Sequence, residues 1–150
     1  MFRGQFVHSI DAKGRLSLPA RFRDAVLSEG DARLVLTPAP SDTCLHLYPL
    51  SDWAEFERKI AELPRFDPHI VRFRRMYVSA ALECDLDGSG RVLIGPDYRE
   101  RAHLAKEVLL AGMGRFIEIW SKELWDRATA PLAPQEHDRF MKSVEELIRI

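Results

Sequence analysis

Cysteine is scarce in this chain of 150 residues: Cys44 and Cys84 lie far apart and form no CxxC pair. Neither a disulfide framework nor a cysteine-rich zinc site fits that pattern, and two reduced, buried thiols are expected. Long apolar runs are lacking as well. The longest, near Val108 to Met113, falls far short of the roughly 20 residues a membrane-spanning helix needs. The opening Met-Phe-Arg-Gly-Gln-Phe has no basic-then-apolar leader pattern, so a cytoplasmic protein is expected. The five histidines (His8, His46, His69, His103 and His137) show no ligand spacing, and no metal or cofactor is assigned. No Ser, His and acid grouping supports nucleophilic catalysis, so no catalytic residue is assigned and an enzyme is not expected.

Net positive charge is missing too: the formal total is −1. Its distribution is uneven. Met1 to Arg23 carries five basic residues (Arg3, Lys13, Arg15, Arg21 and Arg23) against one acid, Asp11. That segment is therefore +4, and the rest of the chain is −5. A basic face on an otherwise acidic protein suits selective contact with a polyanion; its plain alternative is a solvated charged surface. At 46% hydrophobic and 30% charged residues, the composition is that of a folded protein with a core.

The chain contains a repeat. Ile10-Asp11-Ala-Lys-Gly14-Arg15-Leu16-Ser-Leu18 aligns with Leu86-Asp87-Gly-Ser-Gly90-Arg91-Val92-Leu-Ile94 at an offset of 76 residues, and Phe22-Arg23 aligns with Tyr98-Arg99. Leu45-His-Leu47-Tyr48 aligns with Ile117-Glu-Ile119-Trp120, and Trp53 with Trp125, at an offset of 72. Alternating apolar residues on both sides of a tight turn predict a strand–turn–strand unit in each copy. Gly14 and Gly90 supply the turn's positive φ, while Asp11 and Asp87 accept its backbone N–H groups. Pro19 and Pro96 end these strands and start short helices. Two further strands follow in each copy, Arg33 to Thr37 with Leu45 to Tyr48, and Glu107 to Ala111 with Phe116 to Trp120.

Helices are predicted between and after the copies. Asp52 with Glu55 resembles a capping box, followed by an apolar stripe of Trp53, Phe56, Ile60 and Leu63 that Pro64 ends. Asp67-Pro68 opens a second helix. A third starts near Pro134, with Phe140, Val144 and Leu147 expected to face inward. The expected division is a first module over 5–52, a helical connector over 53–80, a second module over 81–124 and a helical segment over 125–150. A module of roughly 45 residues buries little core alone, so the copies should pack on each other, with helices covering the remainder or meeting another subunit.

The doubled Asp-x-x-x-Arg turn resembles the AbrB-like DNA-binding modules. The chain as a whole resembles the MraZ family of bacterial regulators, which carries two of them. The match rests on Phe2-Arg3-Gly4-Gln5-Phe6, Asp11-Ala-Lys-Gly-Arg15-Leu, Pro19-Ala-Arg21-Phe22-Arg23 and Asp87-Gly-Ser-Gly-Arg91-Val. The resemblance implies a mainly β fold with covering helices, in which the two copies form a swapped-hairpin β-barrel. It also implies ring-like homo-oligomers, and binding to repeated sites upstream of a gene cluster for cell division and cell-wall synthesis that includes the regulator's own gene. Gln5 stands where the family commonly has an acid, a change that removes a negative charge near DNA.

On this reading a two-stranded ribbon enters the major groove. Lys13 and Arg15 at its tip reach phosphate, Arg15 can fork onto guanine, and Arg3, Arg21 and Arg23 add phosphate contacts that set register. Asp11, Gly14, Asp87, Gly90 and Arg91 shape the turns. The second hairpin, Glu83 to Arg101, has five acids and three bases, so the first copy is expected to read DNA. The expected partners are double-stranded DNA and further copies of the chain, without a membrane, at the nucleoid. An antitoxin-like protein-binding module is the alternative. A remote one is a small phosphatase using Asp85 and Asp87, whose loop would need a continuous hydrophobic parallel strand before it. A calcium loop over the same residues fails at its twelfth position, which is Pro96 rather than glutamate.

Overall fold

The computed structural model describes residues 1–149, which form eight strands and six α-helices. The strands are β1 (Gln5–Ser9), β2 (Arg15–Ser17), β3 (Arg33–Pro38), β4 (Leu45–Pro49), β5 (Leu82–Asp85), β6 (Arg91–Leu93), β7 (Glu107–Gly112) and β8 (Ile117–Ser121). The helices are α1 (Ala20–Leu27), α2 (Leu50–Ala61), α3 (Pro68–Phe73, continued by a π-helical turn Arg74–Val78), α4 (Pro96–Arg101), α5 (Lys122–Ala128) and α6 (Pro134–Ile148). None of the described helices is long and apolar enough to cross a membrane.

The β-rich class with covering helices is present, and the strands of the two copies are exchanged. Six strands pair antiparallel in the order β1-β7-β8-β4-β3-β5, while β2 and β6 form a separate ribbon. The first strand of each copy thus joins the third strand of the other: Phe6 lies opposite Leu110, and Leu34 opposite Cys84. The order reads the same from either end once equivalent strands are interchanged, which defines a pseudo-two-fold axis between β4 and β8. The sheet stays open, with β1 and β5 at its edges, and does not close into the expected barrel.

The expected hairpin is also altered. β1 and β2 share an isolated bridge, Ile10 to Leu16, a turn bond in which the Asp11 N–H donates to Arg15 C=O at 3.0 Å, and a side-chain bond between His8 Nδ1 and Ser17 C=O at 2.7 Å. Their backbones form no ladder beyond the turn. A lone two-stranded hairpin is marginal in water, and three-residue β2 buries more by lying across the opposite copy.

One face of the sheet carries the main core. Leu34, Leu36, Leu47, Leu110, Ile117 and Ile119 point to that side, and the β2–β6 ribbon with α1 and α4 covers them through Leu16, Val92, Ile94 and Phe22. Phe22 is 1% exposed, with the Phe2 and Phe6 rings edge-on at 5.5 and 5.1 Å.

The other face is covered in two patches. On the β3–β4 side, Trp53 of α2 and Tyr77 of the π-helical turn pack on Val35 and Tyr48. On the β7–β8 side, Leu124 and Trp125 of α5 pack on Leu109 and Trp120. The stripe begun by Trp53 is therefore used within the chain. The capping box does not form: the N-cap of α2 is Pro49, three residues before Asp52, and Asp52 and Glu55 instead hold Arg115 at 3.8 and 2.7 Å. Asp67 does cap α3, accepting from the N–H groups of His69 and Ile70.

Both sheet faces are occupied by elements that precede α6, and its apolar stripe finds no core cluster among the described residues to join. Phe140 is 51% and Leu147 84% exposed, and Val144 is only half-buried, contrary to the inward orientation expected. Cys44 is buried, but Cys84, on edge strand β5, is half-buried; both are free thiols.

Candidate nucleic-acid interface

The turn Asp11–Arg15 is built by its own aspartate. Asp11 Oδ1 accepts from the backbone N–H of Lys13 at 3.0 Å and of Arg15 at 2.9 Å, and Oδ2 accepts from Arg15 Nε at 2.7 Å. Gly14 at φ +87° closes the turn. These bonds, led by the Arg15 amide, hold the Asp11 carboxyl below its ordinary pKa. The second turn repeats the pattern. Asp87 accepts from the N–H of Ser89 at 2.8 Å and of Arg91 at 2.9 Å, with Gly90 at φ +76°. The Arg91 amide is likewise the first cause of the lowered Asp87 pKa. The side-chain pair is looser there, with Arg91 Nε 3.5 Å from Asp87 Oδ2.

The two turns interlock. The Ile94 N–H donates to Gly14 C=O at 2.8 Å, and the Leu18 N–H donates to Gly90 C=O at 3.0 Å. Arg99 lies against Gly14, and Arg23 against Gly90. Each turn therefore meets an arginine from the other copy.

The β2–β6 register pairs Arg15 with Leu93, Leu16 with Val92 and Ser17 with Arg91. Leu16 and Val92 are buried beneath the ribbon. By the alternation of strands, Arg15, Ser17, Arg91 and Leu93 share the outward side. The exchange thus brings Arg15 and Arg91 onto one ribbon surface, at diagonal positions. The two-stranded ribbon is made between copies rather than from one hairpin.

The remaining candidates scatter. Lys13 is exposed at the turn, Arg21 is exposed on the first turn of α1, and Arg23 is half-buried over the opposite turn. Arg3 is exposed but lies at the far end of β1, a strand of about 17 Å at the usual rise per residue. Arg99 was not among the residues singled out from the sequence. Its alignment with Arg23 was visible, but only the exchange shows that it serves the first turn. The phosphatase alternative is corrected: β5 is an antiparallel edge strand, and Asp87 is committed to its own turn.

A second polar group sits on the opposite sheet face. His46 and Glu118 are cross-strand partners on β4 and β8, with Nε2 and Oε2 3.2 Å apart. His46 Nδ1 lies 2.6 Å from Tyr77 Oη, which lies 2.8 Å from Tyr48 Oη. Trp120 Nε1 donates to Glu118 Oε1 at 3.0 Å. Chiefly through its bond with His46, the Glu118 carboxyl is held below its ordinary range, whereas burial pushes the Tyr77 hydroxyl and the Cys44 thiol up.

Two exchanged copies, each with an aspartate-pinned turn, define a duplicated, pseudo-symmetric β protein. The family model described as "MraZ protein, putative antitoxin-like" matches residues 1–76 and again 77–147. A protein named Transcriptional regulator MraZ from Halorhodospira halophila is 43% identical over 130 residues, covering 87% of this chain and 86% of that one. Its namesake from Desulfitobacterium hafniense is 39% identical over 150 residues, 100% of this chain and 99% of the relative. Another, from Desulforamulus reducens, is 45% identical over 130 residues, 87% and 88% of the two chains. The chain belongs to the MraZ family. The names of these relatives describe regulators of transcription, not enzymes.

Proposed function

We propose that this chain is a sequence-specific, DNA-binding transcriptional regulator acting in the cytoplasm at the nucleoid. Its two modules, over 5–52 and 81–124, share a connector over 53–80 and are followed by a helical segment over 125–150, of which residue 150 lies outside the described part. The observation that carries the reading is the ribbon surface, where Arg15 and Arg91 stand together beside exposed Lys13. A two-stranded ribbon suits the major groove, and an arginine there can fork onto guanine. Lys13, Arg21 and Arg3 are exposed cations for phosphate contacts, and Arg23 joins them over the second turn. The charge of the first segment and the names of the relatives support the same partner.

One ribbon offers a small footprint. A ring of copies presenting several ribbons to repeated sites would gain through effective concentration. The exposed stripe on α6 leaves apolar surface for such assembly. The sites we propose lie upstream of the protein's own gene, in a cell-division and cell-wall cluster.

Titration of the full-length protein against upstream DNA with all repeats, and with one repeat only, tests this. Binding should be much tighter to the multi-repeat DNA and should fall with salt, by about 0.9 in log K per log salt for each phosphate contact. Equal affinity for both DNAs would contradict the multivalent mechanism; no protected site upstream of the gene would contradict the regulatory one. An antitoxin-like role stands second. The same α6 stripe, with the family description, favours it, and a stable complex with another protein that displaces DNA would be its signature.

A further inference from the structure

Cys44, His46 and Glu118 bring three different metal-ligating atoms together, each within 4.8 Å of the others. We propose that they bind one divalent transition-metal ion of zinc-like character across the seam between β4 and β8. The inference does not depend on the DNA-binding reading.

The donor spacing suits such an ion. His46 Nε2 is 3.2 Å and Cys44 Sγ 3.9 Å from Glu118 Oε2. Tetrahedral zinc, with bonds of about 2.0–2.3 Å to nitrogen, oxygen and sulfur, places its ligand atoms roughly 3.3–3.7 Å apart. Little movement separates the two arrangements. One thiol, one imidazole and one carboxylate form a mixed donor set that suits zinc or cobalt. It offers too few oxygens for calcium or magnesium.

The surroundings aim these atoms. Tyr77 Oη occupies the Nδ1 side of His46, and Trp120 Nε1 occupies Oε1 of Glu118. That leaves Nε2 and Oε2 turned to the same side, beside the thiol. Such outer partners fix the orientation of metal ligands and the histidine tautomer. When Nε2 is a ligand, Nδ1–H donates to Tyr77 Oη and the Tyr77 hydroxyl donates to Tyr48. Both contacts are already at hydrogen-bond distance. The thiol proton leaves to solvent. All three ligands sit on or beside paired strands, where their separation is fixed. The His46 and Glu118 side chains keep 11% and 12% exposure, so the site is shielded but reachable.

Sequence spacing could not show this site. Cys44 and His46 are two residues apart, but Glu118 arrives from the second copy, and only the β4–β8 register sets it opposite His46. The expectation that no metal binds rested on spacing alone.

The test uses the full-length protein, stripped with a chelator and equilibrated with cobalt(II) or zinc(II). After removal of unbound ion, about one equivalent per chain should remain. The cobalt form should show a near-ultraviolet thiolate-to-metal charge-transfer band and the intense visible absorption of four-coordinate cobalt. Zinc should displace it and raise the melting temperature. Cys44→Ser should lose the charge-transfer band, and His46→Gln should lose retention of the ion. Cys84→Ser, lacking the other thiol, should keep both. A cobalt-loaded wild type without a thiolate band overturns the proposal, even if the variants do not fold. So does a band that survives in Cys44→Ser, or an unchanged melting temperature with zinc.

Discussion

At the first turn Asp11 holds Arg15 at 2.7 Å, and the exposed residues between them are Ala12 and Lys13; at the second, Asp87 and Arg91 stand 3.5 Å apart around Gly88 and Ser89. The backbone is the same in both, with equivalent carboxylate caps, glycines and bonds to the opposite copy. The chemistry at the tip is not. Duplication has kept what builds the turn and varied what the turn presents. Because Arg23 and Arg99 cross over, each turn's electrostatics belong to both copies, and charge counted along the sequence is not charge counted in space.

The glycines should separate the turns most sharply. A Cβ at Gly14 would overlap the Ile94 carbonyl oxygen, which is backbone; at Gly90 it would meet Arg23 Cδ at 2.7 Å, part of a flexible side chain. Both positions carry the positive-φ penalty of about 1–2 kcal/mol. Gly14→Ala should therefore cost about 3 kcal/mol or more, and Gly90→Ala about half that. Denaturant melts of the two variants decide the point, and equal losses would mean that the turns are wedged alike.

The arginines test function. Arg15→Ala should weaken specific DNA binding by about 1–3 kcal/mol, roughly five- to 150-fold, with sequence discrimination lost. Its effect on folding should be small, since the Asp11–Arg15 pair is more than a third exposed and screened by solvent. Arg91→Ala should weaken binding less. Gel-shift titrations beside a thermal melt and a sizing run would show it. Normal binding by Arg15→Ala with loss in Arg91→Ala reverses the assignment of the two turns.

Lys13→Ser, which gives the first tip the second tip's residue, should lower affinity evenly across DNA sequences. It should reduce the salt slope by about 0.9. Ser89→Lys should raise the slope if the second turn also lies at DNA and leave it unchanged otherwise.

The smallest effect concerns pH. Glu118 has a folded-state pKa below its ordinary value of 4.5. The unfolded chain therefore binds the proton first, and the pair's contribution is complete above that value and lost as pH falls through the folded pKa. With a chelator present, wild-type stability should decline on acidification through this window. Glu118→Gln should flatten the decline. An unchanged pH profile would show that the cross-strand pair does not contribute.

Local order was readable in the sequence; partnership was not. Alternation and turn residues located the strands around Gly14 and Gly90, and Pro19, Pro96 and Asp67-Pro68 marked helix starts. The repeat announced two equivalent units. Nothing in the pattern of Gln5 to Ile10 says whether it pairs with the strand that follows it or with one a hundred residues away, because alternation records which face is buried, not by whom. The same limit hid the Arg15–Arg91 surface and the role of Arg99. The α6 stripe shows the reverse case: its period is that of a packed helix, but a helical period cannot tell whether the covering surface belongs to the same chain. Lys13 and Arg15 were visible as cations at a turn, where Lys13 is exposed and Arg15 is half-buried against Asp11; Arg3 was grouped with them by sequence proximity that β1 removes.

The exchange of strands also sets a timetable. Phe6 pairs with Leu110, more than a hundred residues later, and Val35 with Glu83. While the chain is being synthesised, β1 has no partner until the second copy has emerged almost to β8. The first copy must wait, with its strand edges and the residues that will surround Phe22 uncovered. Contacts of such long range slow folding and prolong the exposure of unpaired edges. A nascent chain halted after the first copy should therefore be a substrate for chaperones or proteases rather than a folded half.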